Sequence, residues 1–266
     1  MKDGDLVAHV GDVPQDDLVQ PELTVAESLL FAGLLRFGDP VARQEVLAEV
    51  ARVLAELLAD LARTRAEALD WRRQMRAQGK RIAFAPTMGA LHDGHVSLIK
   101  IGLSKADVTA SSIFVNPTQF AAHEDLSTYP RSEANDLAKL AEAGCSFCYC
   151  PSPTEMYPPG DSTRVSVKDL SHILEGEVRP HFFEGVASVV SRLFLHVGPD
   201  VAVFGEKDFQ QLTIIKAMKS KVEIVAVPTV REFDGLAMSS RNVRLSERGR
   251  DIALVIHRAL AAAKLA

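Results

Sequence analysis

The chain is poor in several features that would settle its class at once. Its only cysteines, Cys145, Cys148 and Cys150, fall within six residues. An odd and clustered set makes no disulfide framework. No second Cys or His pair stands at zinc-finger spacing, so the three read as core thiols with no resident metal. No apolar run approaches the ~18 residues of a membrane span. The opening stretch carries Asp3 and Asp5 where a secretory signal would be basic and then apolar. A basic excess is missing too. The net charge is −5, which excludes a general nucleic-acid coat. Any anionic ligand must be met by basic groups gathered locally. The expectation is a reduced, cytoplasmic, soluble protein that acts on small molecules, with neither nucleic acid nor membrane as partner.

What is present is the composition of a globular protein: 266 residues, 47% hydrophobic and 24% charged. At ~150 residues per domain this is one or two domains. The text changes character near residue 80. Asp39 suits an N-cap and Pro40 the first helical position, and no glycine interrupts from there to Gln78. Val46, Val50, Val53, Leu54, Leu57, Leu58 and Leu61 fall at helical spacing. The expectation is one long amphipathic helix, or two with a bend, closing at Gly79 as C-cap.

From Arg81 the pattern alternates. Ile82–Ala85, Val108–Val115, Ser146–Tyr149, Val201–Phe204 and Val222–Val227 read as strands, the first stopped by Pro86. Helices are expected from about Gly94, over Glu133–Ala143, Val186–Leu195 and Phe209–Lys219, and over a short stretch from Glu247 to Lys264. Strand–helix alternation implies βαβ units: an α/β fold with a Rossmann-like parallel sheet and helices on both faces. The expected division is 1–65 as a mostly helical extension, 66–230 as the Rossmann-like domain and 231–266 as the start of a further domain. Ligands of such sheets sit beyond the carboxyl ends of the strands, where four unusual stretches lie.

Pro86-Thr87-Met88-Gly89-Ala90-Leu91-His92-Asp93-Gly94-His95 follows the first strand, with two histidines where a loop enters a helix. A helix N-terminus offers amide donors to a phosphate, and imidazoles add more. Ile113-Phe114-Val115-Asn116-Pro117-Thr118-Gln119-Phe120 ends the second strand, and Asn116 and Gln119 suit a substrate hydroxyl or carboxylate; as a bare Asn-Pro it is also a turn. Gly205-Glu206-Lys207-Asp208-Phe209-Gln210-Gln211 brings a lysine placed for phosphate, an aspartate for a helix cap or a metal, and a glycine that permits close approach. Met238-Ser239-Ser240-Arg241-Asn242 resembles a phosphate clamp, since arginine forks onto phosphate oxygens.

In this order, the four stretches resemble the pantoate–β-alanine ligase family of the HIGH-motif nucleotidyltransferase superfamily. The resemblance runs from about Trp71 to about Leu245. It implies condensation of pantoate with β-alanine, with ATP as substrate and Mg²⁺, through a pantoyl adenylate, releasing AMP and pyrophosphate; it also implies a homodimer. Carried over, His92, His95, Lys207 and Arg241 would be catalytic. Met88, Gly205, Lys207, Asp208, Val230, Met238, Ser239, Ser240 and Arg241 would hold ATP. Asn116, Gln119, Gln211, Tyr129, Glu175 and Arg179 would hold pantoate. His181 sits one place earlier than in the family's usual Arg-Pro-x-His-Phe, and most of the family's carboxyl-terminal lid domain is expected to be missing. An impaired or non-catalytic nucleotide-binding remnant is therefore the competing expectation. Residues 1 to about 65 are expected to lie outside the family, and within them ~10–55 carry a second, weak resemblance. Val13–Leu18 with Pro21–Leu29 resembles the Q-loop region of an ABC-transporter ATPase, without the glycine–lysine loop that binds its nucleotide.

Overall fold

The computed structural model describes residues 60–121 and 123–265. The expected helix from residue 39 to 59 and the Q-loop resemblance lie outside the described residues.

The first described element corrects one expectation. Asp60–Ala62, inside the stretch expected to be helical, is a strand, β1. It pairs in parallel with β4 (Phe147–Tyr149), Leu61 opposite Cys148. Leu61 fits the helical stripe, but a partner strand far along the chain overrides local spacing. The helix starts afresh at Thr64, whose hydroxyl caps the Glu67 amide while Glu67 reaches back to the Thr64 amide. Helix α1 then runs over Arg65–Ala77, with Gly79 in the left-handed region just beyond. The sheet thus begins at Asp60, before the expected start of the domain at residue 66.

The remaining elements follow the expected alternation: β2 (Ile82–Thr87), α2 (Asp93–Leu103), β3 (Val108–Ile113), α3 (Glu133–Glu142), β4, short α4 (Pro153–Met156) and α5 (Glu175–Val178), α6 (Phe182–Val197), β5 (Val201–Gly205), α7 (Phe209–Ala217), β6 (Glu223–Val227) and α8 (Glu247–Leu265). Pro86 does not stop β2, which runs on to Thr87. Pairing with β5 covers only Ala83 and Phe84, while pairing with β3 continues to Thr87. The amide that Pro86 lacks would face the β5 side, where the sheet has already opened.

The six strands are all parallel, in the order β1-β4-β3-β2-β5-β6. Strand β2 has β3 on one side and β5 on the other, so the chain's direction of winding reverses there. One face is covered by α1, α6 and α7 around Trp71, Phe84, Phe147 and Leu193, with Trp71 stacked on Phe147 at 4.1 Å. The other is covered by α2 and α3 around Leu98, Ile99, Leu137 and Leu140. Strands buried on both faces read as the apolar runs seen here. Cys145, Cys148 and Cys150 are buried free thiols, and burial pushes the Cys145 thiol up to about 12. No described helix is long and apolar enough to cross a membrane.

Candidate active site

The carboxyl ends of β2 and β5 both open at the reversal, and the loops leaving them meet. After Thr87 the chain turns through Gly89 and Ala90, at φ +82° and +50°, and enters α2 with His92 at its N-cap. A Cβ on Gly94 would stand 2.8 Å from the His92 ring, so this glycine lets the imidazole lie against the helix. Asp136 of α3 accepts the Ala90 and Leu91 amides at 2.8 and 2.7 Å, and the Lys139 ammonium donates to the Leu91 carbonyl at 2.9 Å.

The two histidine rings lie 4.1 Å apart. His95 Nδ1 accepts the His92 amide at 3.3 Å. This leaves the proton on Nε2, which is the nitrogen free to donate. Burial lowers His95 to about 3, and the His92 ring and Lys207 add to it. Burial also lowers His92, followed by the Lys207 charge. Both rings are therefore neutral donors near pH 7. His92 Nδ1 is buried and has no hydrogen-bond partner among the described residues.

These groups line a cavity of about 290 Å³ together with Met88, Gln119, Tyr129, Glu175, Arg179, Lys207, Asp208, Gln211, Ser239, Ser240 and Arg241. Thirteen residues expected at the site thus share one pocket. Four do not line it. Asn116 is buried behind the wall, where its amide donates to Gln119 Oε1 at 3.0 Å and to the Gly185 carbonyl at 3.1 Å, and its oxygen accepts the Tyr157 hydroxyl at 2.8 Å. It orients Gln119, whose own amide is left facing Met88 Sδ at 3.3 Å. Gly205 ends β5, and Val230 and Met238 pair through backbone at 3.0 Å at the base of the turn that carries the clamp. His181 is exposed at the start of α6 and stands outside the lining.

The arginines are already engaged. Arg179 forks onto Glu124 with both bonds at 2.6 Å, reaches Glu175 at 2.7 Å and stacks on Phe182 at 3.8 Å. Arg241 forks onto Asp125 at 2.9 and 3.0 Å, beside Arg244 at 2.7 Å. The hydrogen bond from Arg241 holds the Asp125 carboxyl down at about 2. Ser240 Oγ donates to the Ala90 carbonyl at 2.9 Å, which ties the clamp to the histidine loop. Lys207 stays half-exposed, and Asp208 at 3.8 Å is its one ion-pair partner among the described residues.

Sequence reasoning missed Phe120, Phe182, Phe209 and Gln210 in the lining. The phenylalanines carry no polar signal. Gln210 accepts the Glu175 amide at 3.2 Å and donates to the Leu170 and Ile173 carbonyls at 3.1 and 2.7 Å, so it holds the loop that brings Glu175 over the pocket.

Fold and site together define an α/β protein with neutral and cationic donors converging at the switch point of a parallel sheet, the position where such folds receive nucleotides. The model of the pantoate-beta-alanine ligase family matches residues 60–265, and the chain belongs to that family. A pantothenate synthetase of Rhodospirillum rubrum is 48% identical over 215 residues, 79% of this chain and 72% of the relative. The crystal structure of pantothenate synthetase from Thermus thermophilus superposes with a TM-score of 0.72 at 46% identity, covering 76% of this chain and 74% of that one. A pantoate-beta-alanine ligase from Francisella tularensis, solved with beta-gamma ATP and beta-alanine, gives 0.70 at 38% identity, over 76% and 78% of the chains.

Proposed function

We propose that this chain joins pantoate to β-alanine with ATP, through a pantoyl adenylate, and releases AMP and pyrophosphate. One observation carries the reading: His92, His95, Gln119, Lys207 and Arg241 ring one pocket at the reversal of the sheet. The chemistry follows from those groups. A pantoate carboxylate attacks the α-phosphorus, and negative charge builds on the phosphate oxygens. His95 with its Nε2–H, the His92 ring and the Lys207 ammonium line the pocket, and in this reading they are the donors that stabilise that charge. Gln119, oriented by Asn116, and Gln211 hold the pantoate, and Arg179 shapes its end of the pocket. Positioning does the rest, and no protein nucleophile is required. The β-alanine amine then attacks the mixed anhydride.

Arg241 has a further step in this reading. It turns from Asp125 to the triphosphate, while Ser240 stays docked on the Ala90 carbonyl. No three His, Cys, Asp or Glu side chains come together as a metal cage among the described residues. That donor set fits Mg²⁺ only as a passenger on the triphosphate, which suits an ion that keeps its waters. Its chemistry there is to neutralise phosphate charge, with Asp208 the carboxylate nearest Lys207. A cytoplasmic homodimer, as in the resemblance, completes the proposal, and sedimentation tests the dimer.

The test is AMP release from ATP and Mg²⁺ with pantoate and β-alanine, omitting each acid in turn. AMP that depends on pantoate, with pantothenate appearing only when β-alanine is present, is the expected result. No AMP under any condition would leave a nucleotide-binding protein without the ligase activity.

A further inference from the structure

We infer that Asp136 is a positioning residue for the ligation, holding one peptide plane, Ala90–Leu91, that the histidine loop and the serine–arginine clamp share. The inference rests on the proposed reaction, because the clamp's task is defined there.

Asp136 is 1% exposed and lies on α3, outside the pocket lining. Its Oδ1 accepts the Leu91 amide at 2.7 Å and the Ser132 hydroxyl at 3.3 Å; its Oδ2 accepts the Ala90 amide at 2.8 Å. The plane is gripped from the other side as well. The Ala90 carbonyl, the opposite end of the peptide unit whose N–H is that of Leu91, accepts Ser240 Oγ at 2.9 Å. A flip of this peptide would break both bonds and turn its carbonyl oxygen toward the Asp136 carboxylate.

The local backbone needs that grip. Ala90 sits at φ +50°, where a residue with a Cβ persists only if its surroundings impose the conformation. Gly89 before it has no room for a side chain: a Cβ there would lie 3.0 Å from Asp136 Oδ2. His92 follows two residues after Ala90, so an error in this plane moves the imidazoles, and a displacement near 1 Å at such a site costs about 10²-fold. The clamp is affected at the same time, because Ser240 docks on the same plane.

The test is a double-mutant cycle on the full chain with Asp136→Asn and Ser240→Ala. Asparagine keeps the shape, but in either orientation its amide group turns a donor toward one of the two N–H groups. D136N is expected to lower kcat about 10- to 100-fold with little change in the KM for pantoate. The double variant should fall no further than about threefold below the worse single variant, since both substitutions release one plane. Asp136→Glu, which keeps two acceptors, should recover more kcat than D136N. A folded D136N with kcat within about twofold of the parent would overturn the inference, as would a double variant losing the product of the single losses. If D136N does not fold, amide exchange at Leu91 in S240A decides: faster exchange supports the shared plane, and unchanged exchange overturns it. The exchange readout needs no turnover, so an inactive parent would sink the reaction proposed above and still leave the shared plane decided.

Discussion

His95→Ala separates two consequences of the same ring. In the parent, His95 Nδ1 takes the His92 amide, so Nε2–H is the donor offered to substrate. Losing one such preorganised donor costs about 10²–10³ in kcat, or about 2.7–4 kcal/mol. Stability moves with pH as well. The folded histidine is lowered from 6.5 to about 3, so as pH falls the unfolded chain takes up the proton first. The stability contributed by the neutral ring is complete above about 6.5 and drains as pH falls toward 3. At pH 5 that loss is on the order of 2 kcal/mol. The alanine variant has no such group. It should start less stable than the parent at pH 7.5, and the gap should narrow by up to ~2 kcal/mol at pH 5. Urea melts at both pH values, alongside kcat at pH 7.5, measure the two effects. A gap unchanged between the two pH values would show that the ring is not held neutral by burial. Unchanged turnover would remove it from the mechanism.

Gly185→Ala should act on the pantoate side without touching ligand. A Cβ there would stand 2.6 Å from the Thr118 carbonyl oxygen and 2.8 Å from the Gln119 amide; a loss of about 1–3 kcal/mol and a raised KM for pantoate are expected in urea melts and initial rates. Deleting residues 1–59 should leave cooperative unfolding intact, whereas deleting 1–65 also removes β1 and the Thr64 cap, worth about 1 kcal/mol for the cap alone. Scanning calorimetry of the two truncations should show the longer deletion melting lower; equal melting temperatures would remove β1 from the stable sheet. Asp125→Asn frees Arg241 and Arg244 from their shared carboxylate. It should lower the KM for ATP while costing less than about 1 kcal/mol near neutral pH, because the pair is partly exposed. The Asp125 contribution is present above pH 3.8 and fades toward 2, so parent and variant should converge in stability at acid pH, and a raised KM for ATP would mean that Asp125 guides the arginine instead of competing for it.

The parts of this molecule that were legible in the sequence are those where local chemistry and global position agree. Gly-Ala-Leu-His just after one strand, and Gly-Glu-Lys-Asp where another closes, announce polar loops at the carboxyl edge of a sheet, and the structure brings both to the reversal beside β2. What stayed hidden is non-local. Three-residue β1 exists only because Phe147–Tyr149 offers it an edge, and its Leu61 satisfies a helical stripe equally well. The restart of the helix was readable in Thr64 and Glu67, a capping box three residues apart, and that signal outweighs the absence of glycine. Asp136 was harder still. From sequence it is one more acid in the first turn of an amphipathic helix, beside Glu133. Only the fold reveals that it is buried under a loop 45 residues upstream, whose two amides have no other acceptor among the described residues. The same holds for Asn116, whose polar side chain at a strand end suggested a ligand and whose partners prove to be Gln119, Gly185 and Tyr157. A polar residue at the rim of a sheet can serve the substrate or the residue that serves it. The hydrogen bonds separate the two cases: Asn116 has its amide and its oxygen engaged within the protein, while Lys207 lines the cavity with Asp208 as its one ion-pair partner among the described residues.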